Sequence, residues 1–231
     1  MKKSDVITII VVAAVICGFA FIPGAWNWFN TATTNHGYIM AFFKFAILAV
    51  FGEMLALRIR KGVWHEQGFG VLPRMIVWGV LGVCIAMAMC VFKTGVPTFL
   101  ATVCGANPND FAEIFKSPEL TWGKVGIAFA VSVIMNTIFA PVMMTFHKIT
   151  DIHIAETGGS LKGFFGSKLK MRETMSQKIN WDTQCGFIFA KTIPLFWYPA
   201  HTITFLLPGT CQVLFAAFLG VALGVILSIK K

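Results

Sequence analysis

Among the polar side chains within the apolar stretches of this chain, five are candidates for chemistry: Glu53, Asn136, Lys191, His201 and Thr204. In a bilayer an ionisable or amide group is costly and needs a partner, water or a ligand. Glu53 and Lys191 carry opposite charges at matching depth, each within ~10 Å of the same surface at a rise of about 1.5 Å per residue. An ion pair between them, direct or through water, is therefore expected, and it serves either as a structural pair or as part of a water-lined pathway. Lys44 lies on the opposite face of the Glu53 helix and near its other end, where its ammonium can snorkel outward. Asn136 precedes Pro141, which removes a backbone hydrogen bond and should kink its helix. Pro199 does the same just before His201 and Thr204, which lie three residues apart and point to a similar side. That side is expected to be the bundle interior; the alternative puts His201 at the outer interface, satisfied by water.

No soluble-type active site is legible. His147, Asp151 and His153 form an H-x3-D-x-H cluster, but it supplies three ligands at best and no second motif matches it. Neither a metal nor any other cofactor is expected. G-x-S-x-G, HExxH and a glycine-rich loop ending in GK[ST] are all missing from the sequence. The chain is read as a non-enzyme; an intramembrane enzyme would rest on Glu53 and His201 alone. The six cysteines contain no CxxC pair and read as small packing residues.

The elements that must hold these residues are six apolar stretches, at 5–22, 38–57, 72–92, 122–147, 184–206 and 209–229. Each is near the length of a helix that crosses a bilayer. The chain is 57% hydrophobic and 13% charged, far from the quarter charged of soluble domains. With the N-terminus inside, fourteen of the 19 Lys and Arg residues fall on the inner side and three on the outer. That asymmetry sets the orientation by the positive-inside rule. The fold class is thus an all-α integral membrane bundle of six transmembrane helices, one domain over 1–231, with both termini inside. The net charge of +9 belongs to the inner face, where it meets anionic lipid headgroups. No basic soluble domain is present to bind nucleic acid.

The first stretch follows Met-Lys-Lys-Ser-Asp as a signal peptide would, but Phe19, Phe21, Ile22 and Pro23 stand where a cleavage site needs small residues. It reads as a retained helix. Lys93 ends the third span, and the apolar run 96–104 beyond it reads as a loop packed on the helix ends, with a re-entrant element as the alternative. Asp110 is placed to cap a short helix over Phe111–Phe115. In the inner loop 148–183, Leu161–Arg172 interleaves aromatic and aliphatic residues with Lys, as a segment lying on headgroups would. Ala216, Gly220 and Gly224 recur every four residues on one helix face. Such a face admits a close helix neighbour, either within the chain or in a homo-oligomer.

The stretch Phe196-Trp197-Tyr198-Pro199-Ala200-His201-Thr202-Ile203-Thr204-Phe205-Leu206-Leu207-Pro208 resembles the signature of the Mpv-seventeen family, named jointly with the twenty-two-kilodalton peroxisomal membrane protein. Trp197 and Pro199 match its aromatic-proline entry. His201 stands where that family has Gln, Thr204 where it has Asn, and Gln212 where it has Arg. Gln212–Ala216 and Ile226-Leu227-Ser228 resemble the family's last helix. Gly52-Glu53 is similar to a Gly-Asp in an early span, and Asn136 with Pro141 to a Gln five before a Pro. The resemblance implies a small multi-helix protein of internal or cytoplasmic membranes, with channel-like permeation of small solutes as the leading activity.

The chain is therefore expected to be a channel or transporter-like protein for small solutes in a bacterial cytoplasmic or an organelle membrane. The alternative is a non-conducting structural or lipid-organising protein. Its candidate pathway or polar-core residues are Glu53, Lys191, His201, Thr204 and Asn136.

Overall fold

The structure, a computed structural model, describes residues 2–229; Lys230 and Lys231, which belong to the inner basic set, lie outside them. Every regular element among the described residues is helical. In chain order these are α1 (Lys3–Phe21), α2 (Ala25–Asn35), α3 (Gly37–Lys61), α4 (Val71–Val103), α5 (Pro108–Lys116) and α6 (Trp122–Glu156). Then come the short α7 (Leu161–Gly166) and α8 (Met171–Glu173), a π turn over Thr174–Lys178, and α9 (Trp181–Thr183). A π segment over Gln184–Trp197 runs into α10 (Tyr198–Leu206), and α11 (Gly209–Ile229) completes the order. The five helices α1, α3, α4, α6 and α11 are long and apolar enough to cross a membrane, compatible with an integral membrane protein.

The stretch 184–206 is helical but is not one α-helix. In a π winding each N–H reaches back five residues, and such windings are rare beyond a single turn. Here Pro194 and Pro199 bring no N–H to an α ladder. Tyr198 N–H bonds Ile193 O, and Thr192 Oγ1 donates to Phe187 O at 3.3 Å, both five residues back. The winding returns to α at Tyr198, with Pro199 in the first turn, where its missing N–H is harmless. By contrast α6 runs through Pro141 as one helix of 35 residues.

Other boundaries move for local reasons. Residues 96–103 are neither loop nor re-entrant element; they continue α4, which runs through Pro97 to Val103. The cap of α5 is Asn107, whose side chain accepts from Asn109 N at 3.0 Å, and Asp110 sits inside its first turn. Thr121 caps α6 by accepting from Lys124 N at 3.2 Å. Within Leu161–Arg172, Phe164 turns inward against Val77, Leu81 and Ile154, while Leu161 and Phe165 stay exposed.

The core lies between α3, α4, α6, α10 and α11. Phe45 and Ala49 meet Ile85, Ala88 and Met89, then Val131 and Met135, then Phe205, Ala216 and Ala217. α3 sits between α4 and α11, and α6 packs on α4 and α10. The α3–α11 approach is close because of Gly52: a Cβ there would lie 2.9 Å from Val221 Cα. Gly224 packs on Gly52 and Ala56, Ala216 is buried in the core, and open space lies beside Gly220. Gly224 thus serves contact within one chain. α1 buries none of its residues. It is attached at its ends, where Arg58 makes two bonds of 2.7 Å to Asp5, Trp64 Nε1 donates to Asp5 at 2.9 Å, and Phe19 meets Phe29 edge-on.

Candidate functional site

A cavity of about 640 Å³ lies among α3, α4, α6, the π segment with α10, and α11. That is the size of a small-molecule site. Its rim carries the exposed residues Arg60, Lys148, Asn180 and Thr183, all at the end of the bundle with the basic loops. Its floor is made of buried residues, among them Phe45, Ile85, Met135, Asn136 and His201. The π segment explains how one chain stretch lines so much of it. Gln184, Ile188, Thr192 and Trp197 of the π segment and His201 of α10 all face the cavity, at steps of four, four, five and four residues. The opposite end is closed by the core and by Lys93 Nζ, which donates to Gln212 Oε1 at 2.7 Å. Gln212 Nε2 donates in turn to Leu207 O at 2.9 Å, tying the hairpin between α10 and α11.

Between rim and floor sits a charge network. Arg74 lies in the first turn of α4, and its Nη1 is 2.5 Å from Glu53 Oε2 of α3 and also bonds Asp151 Oδ1 of α6. Arg74 Nε donates to Phe69 O at 2.6 Å, and its guanidinium covers the Phe69 ring at 4.6 Å. Glu53 Oε1 accepts from Trp78 Nε1 at 2.8 Å and lies 3.2 Å from His147 Nε2. Trp78 is one turn after Arg74, and Asp151 one turn after His147, so two helix faces each deliver two members. The arrangement depends on the loop before α4. Gly70, with φ 69°, leads into the helix, and a Cβ there would lie 2.5 Å from Ile154 Cγ2.

Glu53, His147 and Asp151 each offer a ligand atom within 4.8 Å of the others, a spacing that suits a metal ion. The Arg74 guanidinium already bridges the two carboxylates, so an ion would have to displace it. His153, the third member of the H-x3-D-x-H cluster, turns away, with its Nε2 3.1 Å from Phe164 O.

The expected Glu53–Lys191 pair is not formed. Glu53 is taken by Arg74 and His147, while Lys191 is exposed and lies off the face of the π segment that lines the cavity. Two features account for the difference. Arg74 follows Pro73 and reads as a headgroup-facing residue at a helix start, and the π segment that carries Lys191 packs on α6 rather than on α3. Lys44 does not snorkel either: it is buried, donates to Thr33 Oγ1 at 2.9 Å, and lies over the Phe29 ring of α2.

At the floor, Asn136 Nδ2 donates to Ser132 O at 2.8 Å, and Ser132 Oγ reaches Tyr198 O at 2.8 Å, joining α6 to α10. His201 is 5% exposed and stacks on Trp197 at 5.2 Å and 18°. His201 Nδ1 and Trp197 Nε1 are buried without a hydrogen-bond partner. Thr204 is fully buried, but its Oγ1 donates to Ala200 O at 3.0 Å and it does not line the cavity. Of the five expected residues, Glu53, Asn136 and His201 converge on one cavity; Thr204 and Lys191 do not join them. Arg74 and Trp78 carry no signal in composition or spacing and Trp197 is marked only by the family resemblance, whereas His147 and Asp151 are visible in the sequence as an i, i+4 pair. Compared with known proteins, the chain matches no family model, no curated protein and no solved structure.

Proposed function

We propose that this is a membrane protein of six spans, with both termini on the inner side, that passes or carries a small solute through the cavity as a channel or transporter-like protein. One observation carries the reading: Glu53, Asn136 and His201, from three separate helical segments, line one cavity whose rim is exposed and whose floor is in the core. The composite helix 184–206 serves as the sixth span, since irregular winding within a membrane is tolerated where it lines a cavity. Six spans then put both termini on the side of the basic segments 58–71 and 148–183, as the positive-inside asymmetry favours. The resemblance of 196–228 to the Mpv-seventeen family points to the same class of activity.

The alternative, a non-conducting polar core, requires its polar groups to satisfy one another. The Arg74 network does so, but His201 Nδ1 and Trp197 Nε1 do not, and both residues border open space. This favours the solute reading. The test is release of trapped small solutes, neutral and charged, from liposomes containing the wild type or Glu53→Gln. Release faster than from empty liposomes, altered by the substitution, is the expected result. Empty-liposome rates across the whole panel would overturn the reading.

A further inference from the structure

The solute reading of the cavity leaves its substrate class open. Resting on that reading, we infer that the cavity floor binds an uncharged solute through an oxygen acceptor held by Trp197 Nε1–H and His201 Nδ1. Three observations lead to this class. First, the charged residues lining the cavity cancel: Arg60, Arg74 and Lys148 against Glu53, Glu66 and Asp151. The lining as a whole thus carries no net charge. Second, no fixed charge lines the floor below the Arg74 network. Its polar groups are Asn136, Thr192, Trp197 and His201, set among apolar walls such as Phe45 and Ile85. An ion there would lose its hydration and gain no counter-ion.

Third, two buried nitrogens on adjacent, nearly parallel rings that line the cavity have no partner among the described residues, and a small shift of the rings is needed to admit an oxygen to them. An indole nitrogen can only donate, and an imidazole Nδ1 donates in one of its two neutral tautomers. A carbonyl or hydroxyl oxygen has two lone pairs, enough to accept from both. Buried polar groups left unpaired are costly, so occupancy by such an oxygen relieves the floor of its two unpaired atoms. Asn136 is held in place by Ser132 and keeps its side-chain oxygen for a donor on the same solute. The ligand is thus a small uncharged molecule with an apolar or aromatic body and a carbonyl or hydroxyl group at its leading end.

Benzamide, benzoate and benzamidinium share one shape and differ in charge, and they serve as probes. Binding of each to the full chain in lipid nanodiscs is titrated by ligand-observed NMR at millimolar concentration. Benzamide is expected to bind at least about tenfold more tightly than either ion. Trp197→Phe and His201→Phe keep the stacked rings and remove the nitrogens, and each should weaken benzamide about tenfold. Should His201→Phe fail to fold, Trp197→Phe carries the test. Benzoate or benzamidinium binding as tightly as benzamide, no binding of any probe, or benzamide affinity unchanged by the substitutions would overturn the inference. Binding with this pattern but without solute release from liposomes leaves the inference standing and defeats the conduit. Solute release without a preference for the neutral probe does the reverse.

Discussion

The Nη1 atom of Arg74 lies 2.5 Å from Glu53 Oε2, and the same atom bonds Asp151, so one guanidinium from the start of α4 holds α3 and α6 together. The side chains of Arg74 and Glu53 are 11% and 22% exposed, so this network lies well inside the bundle. Removing one member of a buried network strands the charge of the others.

Arg74→Met should therefore destabilise the protein by about 3–5 kcal/mol. Glu53 and Asp151 would then repel one another across the space the guanidinium filled. Adding Glu53→Gln and Asp151→Asn should recover a large part of the loss, because no unpaired charge remains. Thermal unfolding of the three-fold and single variants in detergent measures this. A single variant as stable as wild type would remove Arg74 as the tie between the helices.

Gly52 and Gly220 should respond oppositely to a methyl group. Gly52→Ala places Cβ 2.9 Å from Val221 Cα, so α3 and α11 must separate, at a cost of about 1–3 kcal/mol. Gly220→Ala meets nothing within 4 Å and should change stability by no more than about 0.5 kcal/mol while narrowing the cavity. Equal unfolding temperatures for the two variants would contradict the close approach.

The segment after α7 is held by a surface clasp with a defined pH window. Lys178 Nζ lies 2.8 Å from Glu156 and 2.9 Å from Glu173, and Lys170 lies 3.3 Å from Glu173. Lys178, then Lys170, hold the Glu173 carboxyl below its ordinary 4.5, so its contribution is present above that value and fades as pH falls through the lowered one. Glu156, then Glu173, raise Lys178 above its ordinary 10.5, so that part is present below 10.5 and fades as pH rises through the raised value. A spin label at Ser176 should be immobile between these limits and gain mobility beyond either. Glu173→Gln should weaken the acid limb. Mobility that rises in the middle of the window would refute the clasp.

Cysteines introduced one at a time in a cysteine-free background test the sidedness of the loops joined by α4 and α6. His65→Cys and Lys168→Cys should react with an impermeant maleimide from one face of the membrane, and Asn109→Cys from the other. Labelling of the His65 and Lys168 positions from opposite faces would break the even count of spans between them.

Much of this bundle is legible in the sequence because polar residues are conspicuous in apolar surroundings. Glu53, Asn136 and His201 stand out for that reason, and they line one cavity. Their partners are hidden by the same criterion. Arg74 comes just after a helix-opening proline, beside other basic residues, and so reads as one more headgroup contact. Trp78 looks like ordinary apolar content until its N–H group is placed, and Trp197 stands out only through the family resemblance. The 184–206 stretch is recognisable by apolarity alone, which does not distinguish a four-residue from a five-residue hydrogen-bond step. Lys191 is misplaced for another reason: depth and charge match it to Glu53, but its segment packs on α6. The helix ends at Val103 and Glu156 escape because polarity marks where a chain leaves the membrane, whereas hydrogen bonding continues past that point.

The π winding over Gln184–Trp197 also gives the chain a reserve of length. In an α-helix, deleting one residue swings every later side chain by about 100°. A deletion inside α3 would turn Glu53 away from Arg74, and one early in α6 would do the same to His147 and Asp151. Within the π segment, the same deletion can be absorbed by closing a five-residue step to a four-residue one. Trp197, His201 and all of α11 would then keep their facing. The wall of the cavity is thus the part of the bundle best able to gain or lose a residue without re-aiming the helices downstream of it.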